Sequence, residues 1–387
     1  MSTITQTVLE KINSLVVVVN SSGKVEYVSP SSKRILGFHP EQLMGDGWYN
    51  LTRDNPIDRK QLKKIVDDLL QQEKLTDITP QERLLKTASG GERWILWNYS
   101  KGMFNKLIAI GQDISERKKT EQSFAENHNK LKQQNKDLFD SLRYASGIQN
   151  SILPSFDKID SRFGEAFIFY SPKDVVSGDY YFFHQQKNKF TVAAVDCTGH
   201  GVPGALMSII ANGILKEVIV NKQISEPSEI LYALEDELRL ALNHDNSRQE
   251  SYDGMDVAIG VFDFEKNIIS YSGAFRPMIL VRDEKIIEFA GNRFPIGFYG
   301  DVKKEFITIQ EELKSGDTFY FYTDGYCDQF GGEEEKKFTR KRFKELLLSI
   351  QSMPLCEQKS FLKYALNNWK QNEPQTDDIL VLGLKVK

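Results

Sequence analysis

The chain has 387 residues, with 50 lysines and arginines against 54 aspartates and glutamates and a formal net charge of -4. That length predicts two or three domains, the 40% hydrophobic content supplies real cores, and the charge balance excludes a general nucleic-acid binder. Three widely spaced cysteines, Cys197, Cys327 and Cys356, form neither a zinc pattern nor a disulfide framework, which points to a reducing cytoplasm.

The opening residues lack a basic region and a cleavage signal, so no leader is expected. The apolar run at 15–19 is far short of the ~20 residues a membrane helix needs, and no other stretch is expected to reach it. β-Branched runs at 15–20 and 24–28 flank "SSG" and predict strand, turn, strand. "SPSSKRILGF" predicts a short helix capped by Ser29 with Pro30 at its first position. Apolar residues at 62, 65, 66, 69 and 70 predict a helix, and three strand-like runs follow before residue 114. This is an α+β arrangement.

From Ser115 to about Ser151 the chain is polar and free of proline, with no glycine before Gly147. Phe124, Leu131, Leu138, Ala145 and Ile152 recur every seven residues, with His128, Asn135 and Leu142 between them. That spacing predicts a coiled-coil seam and a parallel homodimer, weakened by Asn135 and His128. His128 is read as structural, because its surroundings lack the acidic residue and proline of a phosphoacceptor site.

Beyond residue 165 the pattern is strands, two amphipathic helices, many strands, two helices and a last strand, which predicts stacked sheets flanked by helices. Aspartates recur at strand ends: Asp179 in "VVSGDYYFF", Asp196 closing "FTVAAVD", Asp324 closing "TFYFYTD", and Asp377 and Asp378 before "ILVLGL". Singly, each is an ordinary turn former. If their strands are neighbours, the carboxylates converge and need a cation. Hard oxygen donors without a histidine or cysteine cluster point to Mg²⁺ or Mn²⁺.

Two resemblances fit these segments. Residues 10–114, through "VEYVSPSSKRILGFHPEQLMG" and the closing "IGQDISERKKTEQ", resemble a PAS domain, which implies a sensor or dimerisation module. No cysteine precedes residue 197, which excludes a flavin–cysteinyl photoreceptor; His39 reads as a solvated turn residue, and the PAS ligand is unknown. Residues 154–387, through "DVVSGDYYFF", "VDCTGHGVPGALMS", "DGMDVAI", "YTDGYCDQFGG" and "QTDDILVL", resemble the SpoIIE/RsbU branch of metal-dependent (PPM) protein phosphatases. Residues 115–153 would be the signalling helix between them.

The second resemblance implies an αββα sandwich and two-metal hydrolysis of phosphoserine or phosphothreonine without a phosphoenzyme. It implies that Asp196 bridges two ions and that Cys197 offers its backbone carbonyl. Asp179, Asp324 and Asp377 complete the ligands; Asp377 is preferred to Asp378. It also implies a phosphoprotein substrate, such as an anti-sigma-factor antagonist, and no nucleic-acid or membrane partner. His200 is read as stabilising the turn. The alternative is a catalytically inactive dimeric scaffold. "FGGEEEKKF" imitates a diguanylate-cyclase signature and is rejected, because that signature needs a strand–turn–strand hairpin and this stretch is expected to run into a basic helix. A histidine kinase is rejected for want of a phosphoacceptor.

Overall fold

The structure, a computed structural model, describes residues 14–72, 79–159, 161–242, 253–297 and 303–387. The first thirteen residues, read above as lacking a leader, lie outside them. The chain divides into two compact units, Met1–Asn135 and Lys136–Lys387. The division falls inside one continuous helix, Ser115–Ile152, so the expected separate linker is shared between the units.

In the N-terminal unit, strands β1 (Ser14–Val19), β2 (Val25–Val28), β3 (Gln81–Lys86), β4 (Glu92–Lys101) and β5 (Leu107–Asp113) form one antiparallel sheet in the order 2-1-5-4-3. Alternation puts Leu15, Val17 and Val19 of β1 on the buried face. That face packs with Leu62, Val66, Leu69 and Leu70 of the Pro56–Gln71 helix, the four-residue spacing of an amphipathic face. Asn55 caps this helix by accepting the Ile57 N–H. Ser29 does not cap the next short helix, Ser31–Ile35: its hydroxyl accepts the Val16 N–H instead, tying the loop to β1. His39 is exposed and opens a short 3-10 turn, as its polar surroundings predict.

In the C-terminal unit two five-stranded antiparallel paths face each other. One joins β7 (Asp179–Gln186), β8 (Lys189–Cys197), β9 (Gly254–Asp263), β10 (Ile268–Ala274) and β14 (Ile309–Glu312) in that order, with the short β13 (Ile296–Gly297) also paired to β9. The other joins β6 (Phe163–Ser171), β18 (Ile379–Val386), β15 (Thr318–Tyr322), β11 (Met278–Arg282) and β12 (Lys285–Phe289). Phe190, Val192, Phe262, Phe319, Phe321 and Leu382 belong to a single core cluster drawn from both sheets. The Gly201–Lys216 and Pro227–Ala241 helices cover the outer face of the first sheet, and Arg340–Ser349 and Leu355–Lys370 cover that of the second.

Two expectations fail here. Phe330–Gly331 (β16) and Lys336–Lys337 (β17) pair antiparallel, so "FGGEEEKK" is a small hairpin, and the expected basic helix begins only after it, at Arg340. Its strands are too short to show a pattern; tertiary contacts hold them, with Gly332 N–H on the Trp369 carbonyl and Lys337 on Asp328. Among the described residues one helical stretch, Gly201–Asn221, is long and apolar enough to cross a membrane. More than half of its apolar window is buried in the C-terminal unit, and it lies against the sheet as a core helix.

Candidate metal centre

Strand register brings three aspartates into one row. Asp179 of β7 lies opposite Asp196 of β8, and Asp196 lies opposite Asp256 of β9. Like charges facing each other across an antiparallel ladder repel, so this end of the sheet is under electrostatic load. The facing sheet adds Asp324, just past the end of β15, and Asp377, just before β18.

Arg276 stands in the middle. It lies in the turn that carries the chain from β10 in one sheet to β11 in the other. One guanidinium nitrogen is 2.5 Å from Asp196 and 2.9 Å from Asp256; another is 2.7 Å from Asp324. The Arg276 side chain is 7% exposed, and its Nε has no hydrogen-bond partner among the described residues. Burial opposes its charge, but Asp196, Asp324 and Asp256 together raise its pKa above the ordinary value.

The carboxylates outnumber that cation. Burial pushes Asp196 up to about 7; Arg276 opposes this, and Asp324, Asp256 and Asp377 add to it. Burial likewise pushes Asp256 up to about 6. Asp179 is raised well above the usual range by burial and then by Asp196. Burial also raises Asp377, with Asp324 adding repulsion.

Other contacts fix where each group points. The Thr323 hydroxyl donates to Asp179 at 2.6 Å and accepts the Leu380 N–H, so one side chain ties β7, β15 and β18 together. Gly178, Gly199 and Gly204 are packed backbone to backbone; a Cβ on Gly204 would lie 2.2 Å from the Gly199 carbonyl. That contact explains the glycines of "SGD" and "GHGVPG": they bring the loop before Asp179 against the loop after Cys197. The Cys197 thiol is buried, and burial raises its pKa.

Asp377 and Asp378 differ in employment. Asp378 is 3% exposed, and its two oxygens accept the backbone N–H groups of Lys173 and Gly178, each at 2.7 Å. Asp377 is half-buried and takes only the Asp378 N–H from the backbone. His200 contacts the 173–174 loop: Nδ1 is 2.9 Å from Asp174, and Nε2 is 3.0 Å from the Lys173 amine.

Among the described residues no three acidic, histidine or cysteine side chains are already gathered as a metal gathers its ligands; the guanidinium holds that place. The donor set still fits hard divalent cations. It is all oxygen, carries more negative charge than Arg276 offsets, and lies where two sheets can each supply ligands. Sequence reasoning missed Asp256 and Arg276. Asp256 had a signal, since it stands at the head of the apolar run after "DGM" like the other strand-end aspartates. Arg276 had only its isolation among apolar residues in "AFRPMIL".

Residues 186–387 match the family model for Stage II sporulation protein E (SpoIIE), and residues 9–119 match that for the PAS fold. The solved SiaA-PP2C domain of Pseudomonas aeruginosa is 33% identical over 65% of this chain and 98% of its own, with a TM-score of 0.60. The RsbU and RsbW domains of Rv1364c from Mycobacterium tuberculosis align at 21% identity over 58% of this chain and 61% of theirs, with a TM-score of 0.47. The phosphatase domain of SpoIIE from Bacillus subtilis, solved with a fragment of its regulatory domain, aligns at 15% identity over 87% and 76%, also at 0.47. No curated protein matches the chain.

Proposed function

We propose that this chain, which belongs to the Stage II sporulation protein E (SpoIIE) family, is a metal-dependent protein serine/threonine phosphatase controlled by its N-terminal PAS domain. The reading rests on one observation: Asp179, Asp196 and Asp256 stand in register on one sheet, with Asp324 and Asp377 supplied by the other. The helix pairs and two sheets form the catalytic αββα sandwich.

Asp196, central in the row, would bridge two Mn²⁺ or Mg²⁺ ions. Asp179, Asp324, Asp377 and the Cys197 carbonyl would complete their protein ligands. When bound, the ions would supply an acidified water and offset charge on the transferring phosphoryl group. Thr323 holds Asp179 in place. Asp378 fixes the 173–178 loop from behind. The N-terminus of the Gly201–Lys216 helix, just past Cys197, favours an approaching phosphate.

The substrate is phosphoserine or phosphothreonine on a small regulatory protein of the anti-sigma-factor-antagonist type, in the cytoplasm. The working form is a homodimer through a coiled coil of the Ser115–Ile152 helix. Phe124, Leu131 and Leu138, spaced by seven, are all more than half exposed in the single chain, which supports a partner helix on that stripe.

The test is hydrolysis of a phosphoserine protein and of p-nitrophenyl phosphate by the full chain with Mn²⁺ or Mg²⁺. Activity lost in excess EDTA and restored by the ion is expected; full activity in EDTA overturns the two-metal reading. The grip of Arg276 on three carboxylates favours a second reading, an inactive scaffold in which that arginine permanently replaces the ions. Absence of Mn²⁺ binding by calorimetry would decide for it.

A further inference from the structure

The N-terminal unit encloses a cavity between its sheet and the Pro56–Gln71 helix, with about 410 Å³ of atom-free space when its mouth is included. Its closed interior is narrow, with room for a few water-sized spheres at most. Such a space takes only a slender ligand that extends into its mouth, and no bulky cofactor. Trp48 and Trp97 meet edge to face in the wall, with ring centroids 5.7 Å apart, and Tyr49 and Tyr99 complete an aromatic lining.

Two arginines line the same space, which is costly for a wall this apolar. Among the described residues, the Arg53 guanidinium reaches the Thr52 hydroxyl and that of Arg83 the Gln81 side chain. Arg83 Nε is shut away from solvent with no partner. Among the described residues neither guanidinium forms an ion pair with a carboxylate. Burial, with the repulsion of Arg83 behind it, lowers the Arg53 pKa to about 10. Both arginines also act electrostatically on Tyr99, so the three polar groups share one neighbourhood.

We infer that this cavity binds a small, slender carboxylate with an apolar body, its carboxylate held by Arg53 and Arg83 and its body against Trp48 and Trp97. Two guanidiniums without an ion-paired carboxylate among the described residues, beside an aromatic slot, give both halves of that recognition. A carboxylate accepts paired N–H donors in the planar geometry an arginine offers, and such charged bonds are stronger than neutral ones. The apolar wall excludes water and orients the rest. Inorganic phosphate shares the anionic half of this chemistry but has nothing to place against the rings.

The experiment is isothermal titration of the full chain with benzoate, phenylacetate and hexanoate, each against its uncharged amide, and with inorganic phosphate. At least one carboxylate should bind saturably, at least tenfold more tightly than its amide and than phosphate. Arg83→Gln and Arg53→Gln should each weaken that binding about tenfold or more, and the double variant should abolish it. Melting curves check that each variant is folded; if one is not, the other supplies the same readout. Failure of all three carboxylates to bind overturns the inference, as does equal binding of acid and amide. Binding of phosphate alone would leave a bare oxyanion site and overturn the apolar half. Binding is read without any phosphatase assay, so this result stands or falls apart from the catalytic reading.

Discussion

Arg276 holds Asp196 at 2.5 Å, and the same guanidinium spans Asp256 and Asp324, so one side chain neutralises carboxylates from both sheets. An ion entering between these aspartates must therefore displace an internal cation. Arg276→Gln should destabilise the metal-free protein by about 2–3 kcal/mol, at or below the foot of the ~3–5 kcal/mol range for breaking a fully buried pair, because the carboxylates are 21–32% exposed. The same variant should bind Mn²⁺ several-fold more tightly, since nothing competes. Melting in EDTA and calorimetric titration with Mn²⁺ measure the two effects. An unchanged Mn²⁺ affinity would show that the guanidinium and the ion do not share the site.

Asp196 and the Asp377–Asp378 pair separate chemistry from framework. Asp196→Asn should abolish turnover while circular dichroism stays native, because its carboxylate is the proposed bridge. Asp378→Asn exchanges one of two buried acceptors for a donor facing a backbone N–H, and should cost about 1–3 kcal/mol of stability. Asp377→Asn should lower activity more than Asp378→Asn and stability less. The opposite order in both assays would reverse the roles given to the two residues.

The acidic row also predicts how the metal-free protein responds to pH. Asp196 and Asp256 titrate near 7 and 6 when folded, against an ordinary value of 3.8. Between about pH 4 and 7 the folded state thus binds more protons than the unfolded state, so stability falls as pH rises through that window. In EDTA the melting temperature should be higher at pH 5.5 than at pH 7.5. With Mn²⁺ the trend should reverse, because protons then compete with the ion. A melting temperature in EDTA that rises from pH 5.5 to 7.5 would contradict the row's burial.

Much of this site was legible because each aspartate touches a strand whose apolar run is visible in the sequence. Asp179 and Asp196 are joined by the tight turn between β7 and β8, so their convergence follows from a local hairpin. Asp256 obeys the same rule and was readable from "DGMDVAI". Arg276 was not, because its role depends on a turn crossing between sheets, which no local spacing encodes. The β16–β17 hairpin escaped for a related reason: its short strands are anchored by contacts to Trp369 and Asp328, which lie outside it. The length and apolarity of Gly201–Asn221 were visible, but only packing distinguishes a core helix from a spanning one.

The last prediction concerns the end of the long helix, within the C-terminal unit. Gln149 is 3% exposed; its amide donates to the Ser177 carbonyl at 2.5 Å and the Ser208 hydroxyl at 2.8 Å, and its oxygen accepts the Ser177 N–H at 3.1 Å. Ser177 in turn accepts the Asp179 N–H through its hydroxyl. A rotation of this helix about its axis would therefore reach the proposed ligand Asp179 through two hydrogen-bonded residues. Gln149→Ala leaves the Ser177 N–H and carbonyl without their buried partners and should cost about 1–3 kcal/mol. It should also weaken Mn²⁺ binding, whereas Asn150→Ala, on the exposed side, should change neither. Upstream, inserting seven residues after Asn135 preserves the heptad phase, while inserting four shifts it. The four-residue insertion should change phosphatase activity several-fold, and the seven-residue insertion should largely restore the original level. If both insertions match the parent chain in activity and in Mn²⁺ affinity, the helix is a tether, and Gln149 is only a clamp within the catalytic unit.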